Sequence, residues 1–237
     1  MSMTMRFQLV CFDAGFTLID ARRPMKASVA AVLASAGVPP TEDALHRAWE
    51  IADRWFWEEY HRPDNNTWAS DKRIMATWRH YHRLMLRELG VPDEDGAIVE
   101  AVAAAHFGID NWRLYPDVVP TLEALRERGY TIGIVSDWSS RLTLILDALG
   151  ISPYLNFVLA SGAAGAAKPD PHFYHMAARA GGVAPHQALM VGDSYHADVL
   201  GARAAGMHAL LLDRAGTADP VDVQVIRSLA ELPALLY

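Results

Sequence analysis

The second half of the chain alternates apolar runs with helical stretches, and this alternation limits the possible folds more than any other feature. The helical stretches lie at about 117–129, 139–149, 172–180 and 196–205, with Asp117 as an N-cap and Gly129, Gly150 and Gly206 at helix ends. The apolar runs lie at 7–12, 130–135, 157–160, 188–191 and 209–212. Continuous apolar strands separated by helices indicate a parallel sheet that is covered on both faces. We therefore predict an α/β fold, with Ser228 and Glu231 forming a capping box for a short closing helix.

The segment between the first two apolar runs has a different pattern, with no convincing strand. Helices are predicted at about 26–36, 41–59, 70–89 and 93–106, separated by stretches rich in proline, glycine and asparagine. We interpret this segment as an α-helical cap inserted after the first strand. The predicted domains are a core of residues 1–20 and 113–237 and a cap of residues 21–112, which can cover the crevice of the core like a lid.

Composition narrows the function classes. The formal charge of −7 argues against general binding to nucleic acid or anionic membranes, which need an excess of Lys and Arg. We find no apolar stretch of signal-peptide length before the first strand and no run long enough to span a bilayer. The chain is therefore expected to be cytoplasmic, as a monomer or homodimer, and its lone Cys11 to be a small core residue.

Three aspartates are placed where strands of the predicted sheet end. Asp13 follows the first apolar run, and Asp193 and Asp198 follow the run at 188–191. Side chains at the carboxyl ends of parallel strands meet in one crevice, so these carboxylates are expected to share a site that binds a cation. Oxygen ligands of this kind suit Mg²⁺, and an aspartate can be the covalent nucleophile of phosphoryl transfer.

Two further residues fit the same crevice. Ser136 follows the strand at 130–135, and its hydroxyl with nearby backbone N–H groups would bind phosphate oxygens, although a serine there is otherwise an ordinary helix N-cap. Lys168 lies between two prolines and a small-residue loop predicted to be flexible at 161–165. Its charge could stabilise both a phosphate and the acids, and a solvated surface lysine is the plain alternative.

The order of Asp13, Ser136, Lys168 and Asp193 with Asp198 resembles the four motifs of the haloacid dehalogenase-like (HAD) hydrolase superfamily, over nearly the whole chain. The resemblance implies a Rossmann-like core with the helical cap inserted between the first two motifs. It implies that Asp13 is the nucleophile and that Ser136 and Lys168 bind the phosphoryl group. Asp13, Asp193 and Asp198 would bind Mg²⁺, with the backbone carbonyl of Gly15.

Three positions depart from the usual motifs. Gly15 stands where phosphatases of this superfamily usually have the aspartate that protonates the leaving alcohol and later activates water. General acid–base help of this kind contributes roughly 10²- to 10⁴-fold in rate. Phe16 replaces a frequent glycine. Asp137 replaces a frequent asparagine in the predicted phosphate site, where its carboxylate would repel phosphate unless it points away. The first motif and residues 136–142 resemble the branch of the rhythmically expressed gene 2 product.

The leading interpretation is therefore a Mg²⁺-dependent HAD phosphatase that acts on a small phosphorylated metabolite, with activity that is weak or restricted to leaving groups that need no proton, such as acyl or aryl phosphates. Three alternatives stay open. They are a 2-haloacid dehalogenase, a phosphonoacetaldehyde hydrolase-like enzyme with Lys26 or Lys72 as Schiff-base lysine, and a catalytically silent phospholigand-binding protein.

The predicted cap is rich in aromatic and histidine residues. The spacings of Trp49, Trp57, Trp78 and Tyr81 suit buried helix faces, so we expect them mainly to pack the cap. Three histidines of the cap are candidates for the proton donor that Gly15 cannot be: His61, His80 and His82.

Overall fold

The computed structural model describes residues 7–62, 66–217 and 222–236. The strands are β1 Leu9–Phe12, β2 Ile19–Ala21, β3 Trp112–Leu114, β4 Thr131–Ser136, β5 Phe157–Ala160, β6 Ala188–Gly192, β7 His208–Leu212 and β8 Val225–Ile226. The α-helices are α1 Met25–Ser35, α2 Glu42–Tyr60, α3 Asp71–Glu88, α4 Ala97–Phe107, α5 Val118–Glu127, α6 Leu142–Ala148, α7 Ser161–Ala164, α8 Pro171–Ala180, α9 Gly201–Ala204 and α10 Leu232–Leu235. A π-helical turn, Tyr195–Leu200, precedes α9.

Six strands form one parallel sheet in the order β5-β4-β1-β6-β7-β8. The central strand β1 shows why both faces are apolar. Val10 and Phe12 belong to a buried cluster with α5 and α6, whereas Leu9 and Cys11 belong to a second cluster with α8. Because successive side chains of a strand point to opposite faces, helices cover the sheet on both sides. The predicted α/β fold with a Rossmann-like parallel sheet is confirmed.

Four helices, α1 to α4, lie between β2 and β3 and are called the inserted helices below. They have an apolar cluster of their own, which includes Leu33, Met85 and Val102. The chain leaves the core and returns through an antiparallel ribbon of β2 and β3, which the ion pair between Asp20 and Arg113 (2.7 Å) supports. The division into a cap of residues 21–112 and a core stays a prediction. Among the described residues, no helix has both the length and the apolarity to cross a bilayer.

Most predicted bounds agree with the structure within about three residues, and the capping box of Ser228 and Glu231 is present. The prediction of a flexible loop at 161–165 is wrong, because the helix α7 begins at Ser161, directly after β5. The predicted start of α4 at Asp93 is also wrong. The Asp93 carboxylate accepts the N–H groups of Ile98 and Val99 from outside the helix, which begins at Ala97.

Candidate active site

The seven residues that the sequence predicted as functional line one cavity of about 750 Å³ between the carboxyl edge of the sheet and the inserted helices. Three strands bring most of them there: β1 ends before Asp13, β4 ends at Ser136, and β6 ends before Asp193. The seven residues are Asp13, Gly15, Ser136, Asp137, Lys168, Asp193 and Asp198.

Lys168 is the centre of this site. Its Nζ lies 2.6 Å from Oδ1 of Asp13 and 2.5 Å from Oδ1 of Asp198, and all three side chains are almost fully buried. Burial alone would lower the pKa of Lys168, but the negative charges of Asp13, Asp198 and Asp137 outweigh it and raise this pKa. The lysine is therefore a fixed positive charge. The alternative of a solvated surface lysine is wrong, because the side chain is buried.

Asp198 is positioned by a close approach to Gly192. A Cβ atom on Gly192 would lie 2.1 Å from Oδ2 of Asp198, so only glycine leaves room for this carboxylate. The N–H of Ser194, the N-cap of the π-helical turn that carries Asp198, donates to the same Oδ2 at 2.9 Å. Burial raises the pKa of Asp198, Lys168 lowers it and Asp13 raises it again. The turn after β6 thus holds a carboxylate in contact with the lysine.

Asp193 is surrounded by protein, while its side chain stays open to the cavity. The Thr17 hydroxyl donates to its Oδ1 at 3.4 Å. Withdrawal from bulk water and then the negative charges of Asp13 and Asp198 raise the pKa of Asp193 to about 8. Three carboxylates thus share one ammonium group, which leaves an excess of negative charge that a cation would relieve.

The donors available for such a cation are carboxylate and carbonyl oxygens, and this donor set suits Mg²⁺. Within the described ranges, no three His, Cys, Asp or Glu side chains are gathered in the arrangement of a metal site. The Lys168 ammonium instead lies between Asp13 and Asp198. The donor chemistry therefore fits Mg²⁺, and ion binding by these residues stays a prediction.

Trp138 covers the position where Gly15 lacks a side chain. A Cβ atom on Gly15 would lie 3.2 Å from Cζ3 of Trp138, whose ring packs edge-on against Trp112 at 4.8 Å between centroids. The neighbouring Phe16 has a left-handed backbone, with φ of 55°, and its side chain is 61% exposed. Sequence reasoning missed both features. The only available signals were the unusual residues themselves, Phe16 and the tryptophan two positions after Ser136.

Asp137 contacts the backbone of Lys168. Its Oδ1 accepts the Lys168 backbone N–H at 3.0 Å, and its Oδ2 accepts the hydroxyl of Tyr60, from the inserted helices, at 3.3 Å. Burial raises the pKa of Asp137 to about 7, with Lys168 acting in the opposite direction and Asp13 in the same one. Its carboxylate is thus engaged by two protein donors, and its predicted contact with phosphate stays untested.

A second contact joins the inserted helices to the sheet edge. Asp71, at the start of α3, accepts the backbone N–H of Ser140 at 2.9 Å and its hydroxyl at 2.5 Å. A Cβ atom on Gly162 would lie 2.1 Å from Oδ1 of Asp71, so glycine is needed for this approach. Asp71 and Tyr60 together fix the inserted helices over the site.

Aromatic rings form most of the remaining cavity wall. Phe56 stacks on Trp78 at 4.8 Å between centroids, and both line the cavity. The expectation that Trp57 is packed in a core is wrong, because its side chain is 48% exposed at this cavity. The other rings of the wall are Phe16, Trp49, Tyr60, Trp68, Tyr81, Phe107, Trp112 and Trp138.

The histidines proposed as proton donors do not line the cavity. His61 and His80 are exposed, and His82 is buried in α3. Three buried ring nitrogens that belong to the wall have no hydrogen-bond partner in the described part of the chain: Trp68 Nε1, Trp112 Nε1 and His106 Nδ1. Burial lowers the pKa of His106 to about 4, so its imidazole is neutral near pH 7.

Comparison with known proteins agrees with this geometry. A family profile described as "Hydrolase: haloacid dehalogenase-like hydrolase" matches residues 7–206. The chain is 30% identical over its whole length to "Haloacid dehalogenase-like hydrolase domain-containing protein 3" of Mus musculus, of which it covers 94%. It is 31% identical over 80% of its length to a phosphoserine phosphatase of Thermus thermophilus, of which it covers 74%.

Solved structures with a similar fold include both phosphatases and dehalogenases. The HAD phosphatase from Thermococcus onnurineus and the 2-haloacid dehalogenase from Pseudomonas syringae are each 26% identical to the chain, with TM-scores of 0.66 and 0.65. In both cases 97% of each chain is covered. The strand order, the lysine between two carboxylates and the match over residues 7–206 lead to one conclusion: this chain belongs to the haloacid dehalogenase-like hydrolases.

Proposed function

We propose that the protein is a Mg²⁺-dependent phosphatase that acts through an aspartyl-phosphate on Asp13, with a small phosphorylated metabolite as substrate. The observation that carries the proposal is the buried Lys168 ammonium in contact with both Asp13 and Asp198, at the cavity that Ser136 also lines. The similarity to a phosphoserine phosphatase supports the same reaction class.

The contacts of Asp13 suit a nucleophile. Lys168 holds Oδ1, while Oδ2 makes no hydrogen bond to any residue that the structure describes. This free oxygen attacks phosphorus, the bond from phosphorus to the leaving oxygen breaks, and water then hydrolyses the acyl phosphate. Lys168 and the Ser136 hydroxyl stabilise the charge on the phosphoryl oxygens.

Four groups of this chain would hold the magnesium ion: the carboxylates of Asp13, Asp193 and Asp198 and the backbone carbonyl of Gly15. When bound, Mg²⁺ would neutralise phosphoryl charge and offset the repulsion among these acids. The raised pKa of Asp193 agrees with this assignment. Burial is its largest cause, and the negative charges of Asp13 and Asp198, which a bound cation would offset, raise it further.

The leaving group receives no proton from residue 15. Gly15 has no side chain, the ring of Trp138 lies over it, and the neutral His106 is the histidine of the cavity wall. Activity should therefore be weak for alkyl phosphates and higher for leaving groups that depart as stable anions, such as acyl and aryl phosphates. We also propose a cytoplasmic location for the enzyme.

The test is a set of phosphate esters of graded leaving-group acidity, assayed with Mg²⁺ and with EDTA. We expect kcat/KM to rise with leaving-group acidity, to fall in EDTA, and to disappear in Asp13→Asn. The matched control is Asp110→Asn, at an exposed residue outside the cavity, which should keep wild-type rates. Turnover that is indifferent to leaving-group acidity would contradict the role given to Gly15.

A dehalogenase is the second candidate, because the structural similarity includes a 2-haloacid dehalogenase at 26% identity. The excess of carboxylates argues against it, since a haloacid is itself an anion. Chloride release from 2-chloropropionate in EDTA would favour it over the phosphatase. A phosphonoacetaldehyde hydrolase-like reaction has less support, because Lys26 lies against Trp49 and His46, and neither Lys26 nor Lys72 lines the cavity.

A further inference from the structure

We propose that the substrate is an aryl phosphate monoester, whose aromatic ring binds against Phe16, Trp57 and Trp138 while its phosphate binds at Asp13 and Lys168. This inference rests on the proposed phosphatase activity and adds the chemical class of the leaving group. Four observations carry it: the composition of the cavity wall, the backbone of Phe16, the exposure of Trp57 and the absence of an acid at residue 15.

The cavity places aromatic surface next to the phosphate site. Phe16 and Trp138 follow Asp13 and Ser136 by three and two positions in the sequence, and both rings line the same cavity as those residues. Farther into the inserted helices, the wall continues with rings such as Phe56 and Trp78. Pockets that bury a ligand use apolar and aromatic walls with a few polar groups to fix orientation, and a flat aromatic ring can stack on the rings of this wall.

Phe16 occupies a conformation that an aromatic residue rarely adopts. Its φ of 55° lies in the left-handed region, where a Cβ atom crowds the neighbouring carbonyl oxygen. Glycine would avoid this cost, and packing does not offset it, because the ring is 61% exposed. Backbone strain of this kind is typical of functional sites. A bound ring stacked on Phe16 would provide the contact that the free protein lacks.

Trp57 provides a second exposed ring at the same cavity. The described residues leave eight large apolar side chains exposed, and Phe16 and Trp57 are the two that line the cavity. The Trp57 indole N–H donates to Asp53 at 3.2 Å, which fixes the ring without burying it. The acidic groups near the rings are engaged, since Asp53 bonds Trp57 and Glu100 pairs with Arg79. A neutral ring therefore fits better than a cationic head group.

The chemistry at residue 15 points to the same class. When Asp13 attacks phosphorus, the electron pair of the breaking bond goes to the leaving oxygen. A phenolate accepts this pair without a proton from the enzyme and is protonated by water after release, whereas an alkoxide needs the acid that Gly15 lacks. The aromatic lining of the cavity and the absence of an acid at residue 15 thus favour the same leaving group.

The experiment separates ring recognition from leaving-group acidity. Steady-state kinetics with Mg²⁺ would compare phenyl phosphate, 2-naphthyl phosphate, hexafluoroisopropyl phosphate, acetyl phosphate and phosphocholine. Hexafluoroisopropanol is about as acidic as phenol but has no ring. We expect 2-naphthyl phosphate to have a KM about 10-fold below that of hexafluoroisopropyl phosphate, because stacking adds to apolar burial. Phosphocholine should be the poorest substrate.

The variants address the two exposed rings. Phe16→Gly and Trp57→Leu should each raise KM for 2-naphthyl phosphate about 5-fold and should change KM for acetyl phosphate by a smaller factor. Phe16→Asn also tolerates the left-handed backbone and should behave like Phe16→Gly, which guards against an effect of the backbone alone. Leu144→Ala, at an exposed apolar residue outside the cavity, is the matched control and should change neither value. Circular dichroism would verify that each variant is folded.

The possible failures are distinguishable. Absence of any hydrolysis that depends on Asp13 would overturn the proposed phosphatase itself. Hydrolysis of acetyl or hexafluoroisopropyl phosphate with a KM equal to or below that of the aryl esters would retain the phosphatase and overturn the aromatic leaving group. A preference for phosphocholine would also overturn the aromatic leaving group, and would indicate that the rings bind a cationic head group.

Discussion

Gly192→Ala should displace Asp198 and unfold the protein at a lower denaturant concentration. The added methyl group would lie 2.1 Å from Oδ2 and 2.2 Å from Cγ of Asp198, where carbon atoms in contact are normally about 3.5–4.0 Å apart. The carboxylate would have to move by more than about 1 Å. It cannot do so and keep Lys168 at 2.5 Å and the Ser194 N–H at 2.9 Å.

Two costs decide the magnitude of this effect. Overpacking a buried site typically costs about 1–3 kcal/mol. Breaking a buried ion pair costs about 3–5 kcal/mol, because a charge is left without its partner. The second cost is larger and the two are not independent, so we expect the free energy of unfolding to fall by about 3–5 kcal/mol. For a chain of this size, that corresponds to a decrease in Tm of about 6–20 °C.

Urea unfolding followed by circular dichroism would measure this effect, with Gly15→Ala as the matched control. Gly15 belongs to the same site, but its added Cβ would meet only the edge of Trp138, at 3.2 Å. Its cost should stay below about 1 kcal/mol, since the ring can shift slightly and alanine restricts the unfolded chain. Equal stability losses in the two variants, or a Gly192→Ala protein as stable as the wild type, would refute the close approach of Gly192 to Asp198.

Three further predictions concern the leaving group, pH and the inserted helices. Gly15→Asp combined with Trp138→Leu should raise kcat/KM for glycerol 2-phosphate by about 10² or more. Gly15→Asp alone should raise it by less, because the Trp138 ring crowds the new side chain. Equal gains for the two variants in steady-state assays would contradict this crowding. Burial lowers the pKa of His82 to about 3 and of His106 to about 4, against about 6.5 when unfolded. Between pH 7 and pH 5 the unfolded chain therefore binds protons that the folded chain does not. The free energy of unfolding, measured by urea titration, should fall over this range by up to about 2 kcal/mol per histidine. A His82→Met protein whose stability depends on pH as strongly as that of the wild type would contradict this. Asp71→Ala should lower the free energy of unfolding by about 1–3 kcal/mol through loss of both bonds to Ser140, whereas Asp43→Ala, which removes only a first-turn charge from α2, should lower it by less than about 1 kcal/mol.

The parallel sheet could be predicted from the sequence because its strands are buried on both faces and therefore appear as continuous apolar runs. The long helices could be predicted for a similar reason, since caps such as Thr41 and turns rich in glycine and proline mark their ends. The strands β2 and β3 could not be predicted. Each has only three residues, too few for an alternating pattern, and their pairing joins segments that are far apart in the chain.

Much of the candidate site was predictable because Asp13, Ser136 and Asp193 lie at or directly after the carboxyl ends of strands. The contacts among these side chains were not. They result from packing between segments that are distant in the sequence. Examples are the hydrogen bond from the Lys168 backbone to Asp137, the hydrogen bond from Tyr60 of α2 to Asp137, and the position of Trp138 over Gly15. The strained backbone of Phe16 was hidden for a different reason, because a left-handed conformation is expected of glycine and not of an aromatic residue.

The ribbon of β2 and β3 makes the inserted helices an exchangeable cassette. Ala21 pairs with Trp112 and Ile19 with Leu114, so the insertion starts and finishes on neighbouring strands, about 5 Å apart. Because its two ends lie side by side, a shorter or longer segment in place of residues 22–111 could leave and re-enter the core at the same two positions. A chimaera joined at this ribbon would retain Asp13, Asp193 and Asp198 on the sheet edge and take the opposite cavity wall from its donor.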